Sequence, residues 1–206
     1  MVSLSSNQRH HIAQRLLFII SFWGLGVAVG SYFGLFSTFP LPWFALLVAM
    51  VIATPLAIYY GNSSFRAYIQ GLHLNYLTLF HIWRIPAALT FFYYGSQHLL
   101  PSAFVRNAAW GDLAAGLLVL VVFALPKSTW KYWGFHLFGF ADFVTAVSTG
   151  LTFALLQVPT METITTFPVA LIPLFGVGIS GASHIMALDI LARQTRKLRR
   201  VKSDAV

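Results

Sequence analysis

Seven ionisable side chains stand out in an otherwise apolar chain: His81, Arg84, Asp112, His136, Asp142, His184 and Asp189. Each falls within a long apolar run, where such a group needs a charged partner, a hydrogen-bonded network or a water-filled cavity. An arginine with a carboxylate counter-ion suits an anionic or carboxylated solute. Neutral imidazoles suit a proton relay, for which His136 and His184 are candidates, or the axial positions of a b-type haem, for which His81 and His184 are the weak candidates.

Other chemistries are poorly served. The chain has no cysteine, so thiolate nucleophiles and thiolate metal ligands are excluded. Hydroxyls at Ser180 and Ser183 lie near His184, but a Gly-x-Ser-x-Gly elbow is absent and no lysine falls inside an apolar run to form a Schiff base. No catalytic residue is expected. No two His or Asp residues lie three or four apart on one run, so no local metal chelate is expected, and the cofactor expectation is none, with haem b as the alternative.

The elements that must carry these residues are membrane helices. Of 206 residues, 58% are hydrophobic and 9% charged, against roughly 25% charged in an ordinary soluble domain. No charged residue occurs between Arg15 and Arg66, enough chain for two crossings at about 20 residues each. Punctuation by Pro40 and Pro42, Gly61-Asn62-Ser63-Ser64, Pro101-Ser102, Pro126-Lys127-Ser128 and Pro159-Thr160 divides the chain into six expected spans, near 16–36, 41–60, 72–100, 108–125, 132–157 and 167–192. The fold class expected is all-α, a polytopic helical bundle forming one integral membrane domain over 1–206. Barrel strands are excluded by run length and by the absence of alternation. The first run is read as a retained span rather than a cleaved signal, because it continues without a clean processing site.

Charge gives orientation. Of thirteen basic residues, Arg9, Arg15, Arg66, Lys127, Lys131 and six between Arg193 and Lys202 fall on one side of a six-span arrangement. That side is expected to be cytoplasmic, with both termini inside. The basic tail at 193–206 is expected to anchor topology and meet anionic lipid headgroups. Basic residues at the ends of apolar runs do not form a nucleic-acid surface.

Depth then groups the polar residues. At about 1.5 Å per residue, His81 and His184 lie about 12–14 Å from the cytoplasmic ends of their spans, and Arg84 and Asp142 about 16–18 Å. Two readings of Arg84 stand: a buried pair with Asp142, or a side chain that snorkels to the interface. Asp112 reads as a dipole-complementing residue at the outer start of its span. Asp189, near the cytoplasmic end, is expected to face headgroups or the basic tail.

Glycine and proline mark the irregular helices. Pro168, Pro173, Gly176, Gly178 and Gly181 predict a kink or break near the middle of the last span. Pro86 interrupts the third. Together these raise an inverted repeat of three spans as a reading. Gly26, Gly30 and Gly34, or Gly176 and Gly181, are the candidate surfaces for a homo- or hetero-oligomer.

The series Arg84-Ile85-Pro86, Leu100-Pro101 with Phe104, Gly111-Asp112 with Gly116, Gly139 with Asp142, Phe167-Pro168 through Ile172-Pro173, and His184 resembles a group of uncharacterised bacterial multi-pass inner-membrane proteins. The resemblance covers the third to sixth spans and implies a six-span bundle in a bacterial inner membrane, with no activity. It directs attention to Arg84, Asp112, Asp142 and His184 as one set. The functional expectation is a small-solute or ion transporter or channel with a polar site at Arg84, Asp142, His184, His81 and Asp112. The alternatives are a haem-binding electron-transfer subunit and a non-catalytic accessory or sensor subunit.

Overall fold

Ser5 opens the first helix, α1 (Ser6–Tyr32): its hydroxyl accepts from Gln8 N–H while the Gln8 side chain accepts from Ser5 N–H. This capping box starts the helix at Ser6 rather than at 16, ahead of the apolar run. The structure is a computed structural model in which residues 4–203 are described, the side chains of 198–203 excepted. The basic tail beyond Lys197 lies outside the described side chains.

After α1 the chain turns through Gly34, in the left-handed region at φ 73°, and a 3-10 turn, Leu35–Thr38. Proline fits the first turn of a helix, where its missing N–H has no partner to lose, and Pro42 stands there in α2 (Leu41–Gly61). Asn62 caps a short amphipathic helix, α3 (Ser63–Gln70), by accepting from Phe65 N–H at 2.9 Å. The third expected span is broken in three: α4 (Leu74–Leu79), a 3-10 turn (Phe80–Trp83) and α5 (Arg84–Ser96). Then follow α6 (Ser102–Ala124), α7 (Thr129–Leu155), a 3-10 turn (Met161–Thr165), and a π-helical segment (Ile172–Val177) that runs into α8 (Gly178–Ser203). The expected irregularity in the last span thus takes the form of a wide π turn, at the prolines and glycines that predicted it.

No strand occurs among the described residues, and five helical runs are long and apolar enough to cross a membrane: Ser6–Tyr32, Leu41–Gly61, Ser102–Ala124, Thr129–Leu155 and Ile172–Lys197. The packed body consists of α5 on α6, α6 on α7, α7 on α8, and α2 against α7 and α8. Helix α1 is peripheral. It meets the π segment, where Trp23 Nε1 donates to the Leu174 carbonyl at 2.8 Å and Gly24 admits the Phe175 ring. A wide turn leaves carbonyls poorly served within the helix, and this bond serves one of them.

Apolar and polar residues are distributed inside out. Large side chains such as Phe18, Phe22, Leu46, Leu89, Trp110 and Leu120 face outward, while His81, Arg84, Asp112, His136 and His184 are buried. The chain's basic end regions gather at one end of the bundle. Arg9 lies against Gly71, and residues 72–75, Lys127, Lys131 and Gln194 line one hollow there. At the other end Ser37 is hydrogen-bonded to Thr165 and Tyr32 packs on Phe167.

The glycine surfaces require correction. A Cβ at Gly176 would collide with the Trp83 ring and one at Gly181 with the Phe143 ring, so both faces are already filled from within the chain. Gly30 packs on Phe36 and Leu35 of its own turn, Gly34 lies beyond the helix, and Gly26 meets nothing within 4 Å. Gly26 and Gly34 are the members of that set in open space, and of the two only Gly26 lies on the helix.

Candidate functional site

In a 3-10 helix side chains three apart eclipse one another, so the turn at Phe80–Trp83 carries His81 and Arg84 toward the same side. Arg84 is 3% exposed. Its Nε donates to Asp112 Oδ1 at 2.6 Å, and its NH2 donates to Asp142 Oδ2. Both carboxylates are almost wholly enclosed. One guanidinium thus bridges two helices, α6 and α7, with one charge-assisted hydrogen bond to each carboxylate. Glycines clear the space: a Cβ at Gly111 would overlap the Asp142 carboxylate, and one at Gly116 would overlap Ile85. Buried ion pairs add little net stability, but removing one partner of such a pair costs about 3–5 kcal/mol.

Beside this triad three histidines converge, each 0% exposed: His81 from the 3-10 turn, His136 from α7 and His184 from α8. The Nδ1 atoms of His136 and His184 are 3.0 Å apart. His136 Nε2 meets Thr78 Oγ1 at 3.3 Å, and His81 Nε2 meets Ser183 Oγ at 3.0 Å. The His81 and His184 rings stack with centroids 3.9 Å apart. Gly139, one turn before Asp142 on α7, leaves room for His184, whose ring a Cβ there would strike. Among the described residues three buried side-chain nitrogens have no partner: His81 Nδ1, His184 Nε2 and Arg84 NH1.

A cavity of about 70 Å³ adjoins Arg84 and Asp112. Phe44, Val48, Phe91, Phe104, Ala146 and Met161 contribute to its apolar wall. Its polar lining is confined to Arg84, Asp112, Ser180 and the Trp83 indole, whose Nε1 donates to Ser180 Oγ at 3.0 Å. Both broken helices border it, through Trp83 of the 3-10 turn and Ile172, Pro173 and Val177 of the π segment.

The sequence matches the profile of a domain of unknown function, DUF8737, over residues 41–192. The chain belongs to that family. No curated protein and no solved structure matches it. The matched region of this DUF8737 chain holds every residue of the triad and of the histidine cluster and leaves out the whole of α1.

All five residues singled out in the sequence meet here. Arg84, Asp112 and Asp142 form one group, and His81 and His184 belong to the other. Three readings are corrected. Arg84 is enclosed by protein and does not snorkel. Asp112 is not at a helix start: α6 begins at Ser102, which carries Asp112 into the helix interior as a partner of Arg84. The haem reading of His81 and His184 fails, because rings stacked face to face at 3.9 Å leave no room for a macrocycle between them. Asp189 holds a separate network, accepting from Tyr59 Oη at 2.7 Å and from Arg193 Nε at 2.8 Å. His136, named in the sequence as a proton-relay candidate with His184 but outside the five-residue site, completes the cluster, and Thr78 and Ser183 join it only through tertiary contacts.

Proposed function

We propose that this chain is a multi-pass membrane transporter for a small solute with an apolar body and an anionic group. The observation that carries the reading is Arg84, buried at the cavity wall with NH1 unpartnered. A guanidinium with a spare N–H recognises a carboxylate, and the surrounding aromatic and aliphatic wall suits the rest of such a molecule. Asp112 and Asp142 act as counter-ions that hold the arginine charged and oriented while the cavity is empty. Discontinuous helices flanking a midplane site are a recurrent feature of secondary transporters.

Membrane insertion is supported by the many large apolar side chains on the exterior and by charged groups buried inside, the reverse of where water would place them. The broken segment 74–96 supplies a sixth crossing, since 23 residues at about 1.5 Å each span about 35 Å. Six crossings put both termini on one side, in keeping with the gathering of the basic ends at one end of the bundle. By the positive-inside rule that side is cytoplasmic, in a bacterial inner membrane, with the basic tail against anionic headgroups.

The test is thermal stabilisation of the detergent-purified protein by a panel of aliphatic and aromatic carboxylates, followed by uptake into proteoliposomes. At least one carboxylate should raise the melting temperature of the wild type. Ala146→Phe, which adds bulk to the cavity while replacing none of the ion-paired residues, should abolish that rise while the unliganded melting temperature moves by only a few degrees. No stabilisation across the panel, or unchanged stabilisation of Ala146→Phe, would overturn the reading.

A further inference from the structure

We infer that His81, His136 and His184 bind one transition-metal ion of the class that favours imidazole, zinc or copper. One nitrogen from each ring lies within 4.8 Å of the others. The two Nδ1 atoms of His136 and His184, at 3.0 Å, are near the edge of about 3.3 Å that two nitrogens span on a tetrahedral ion with bonds of about 2.0–2.1 Å.

Hydrogen bonding around His81 fixes its tautomer. Ser183 Oγ donates to the Ser180 carbonyl at 2.9 Å, so its proton is committed and it accepts from His81 Nε2–H at 3.0 Å. His81 Nδ1 is then a bare lone pair, fully buried and without a donor. Such an atom is costly unless a Lewis acid meets it. His136 likewise has Nε2 at Thr78, while its Nδ1 faces His184 Nδ1. For His81 and His136 this is the pattern of metal-ligating histidines, in which the second nitrogen is held by an outer partner that orients the ring; His184 Nε2 has no such partner.

Charge and ligand type agree. Two carboxylates on one guanidinium leave a formal negative charge next to the cluster, which a cation offsets. An all-imidazole set without carboxylate or thiolate selects zinc, copper, nickel or iron over magnesium and calcium. The solute cavity is not needed for any of this, and His81, His136 and His184 do not line it.

The full chain, stripped with a chelator in detergent, is titrated with Zn²⁺ and separately with reduced copper, and retained metal is measured after desalting. One ion per chain is expected in at least one arm, with X-ray absorption showing nitrogen ligands at about 2.0–2.1 Å. His136→Gln and His184→Gln should lose it, and Thr78→Val and Ser183→Ala should weaken it about 10–100-fold. Replacing the exposed pair His10 and His11 by Gln should leave it unchanged. No retention by the wild type in either arm would overturn the assignment, as would loss through the His10 and His11 pair. Where a histidine variant does not fold, Thr78→Val decides, and unchanged affinity there overturns the assignment. Because the readout is metal at the histidines, it stands or falls separately from carboxylate binding at Arg84.

Discussion

Gly111 is as much a part of the polar centre as the charges, because the Asp142 carboxylate occupies the volume that its side chain would fill. Gly111→Ala is therefore expected to break the Arg84 to Asp142 contact and lower stability by about 3–5 kcal/mol. Gly26→Ala, in open space on α1, should instead stabilise by about 0.5–1 kcal/mol through helix propensity. Melting temperatures of the two variants in detergent compare them directly. The pairing of Arg84 with Asp142 was legible from depth alone, since two charges at one level of an apolar bundle seek each other. The partnership of Asp112 was not, because Ser102, Arg106 and Asn107 read as a polar loop and hid the true start of α6. The histidine cluster was equally hidden: each member is alone on its helix, and only tertiary packing joins them.

At the scale of elements, the two broken helices lock into each other. The Trp83 ring, from the 3-10 turn, occupies the space left by Gly176 of the π segment, and its indole N–H reaches Ser180 on α8. Gly176→Ala should push the ring out and destabilise both breaks together, by about 1–3 kcal/mol for an overpacked site. Hydrogen exchange would report it as faster exchange in residues 80–84 as well as 172–178; a change confined to the second segment would show that the breaks are uncoupled. Prolines and glycines announced the break in the last span, since they remove donors and side-chain bulk. Pro86 announced an interruption of the third span but not its form as a 3-10 turn at Phe80–Trp83, and nothing announced α3, whose asparagine cap and short amphipathic run lie in a stretch that reads as a turn.

The whole molecule has an apolar exterior, a polar cluster buried within an apolar core, and two unlike ends. The proposed six crossings would place residues 64 and 128 on the cytoplasmic side and residue 96 on the opposite side. The absence of native cysteine makes this directly testable, since Ser64→Cys, Ser128→Cys and Ser96→Cys each introduce a single thiol at an exposed position. An impermeant maleimide applied to intact cells should label only the Ser96→Cys chain, and should label the other two after the membrane is opened. Labelling of all three from outside would refute the six-crossing arrangement. The helical class and the apolar runs were readable from composition because the length of uncharged chain is a bulk property. The inward grouping of the charges depends on how helices rotate about their axes, and no single helix records that.

The π segment also has a bearing on how the chain tolerates change over evolutionary time. A wide turn holds one residue more than an α turn in the same rise, and each residue of an α-helix turns the chain by about 100°. Deleting a single residue within Ile172–Val177 is therefore absorbed by closing the wide turn to an α turn, whereas a deletion in the regular helix between Gly178 and Ser180 would rotate Ser180, Ser183 and His184 together by that angle, away from His81 and His136, with every one of these side chains still present in the sequence. The polar centre is therefore written in a count of residues as well as in their kinds. Just past the wide turn, a one-residue deletion disturbs more than most substitutions do.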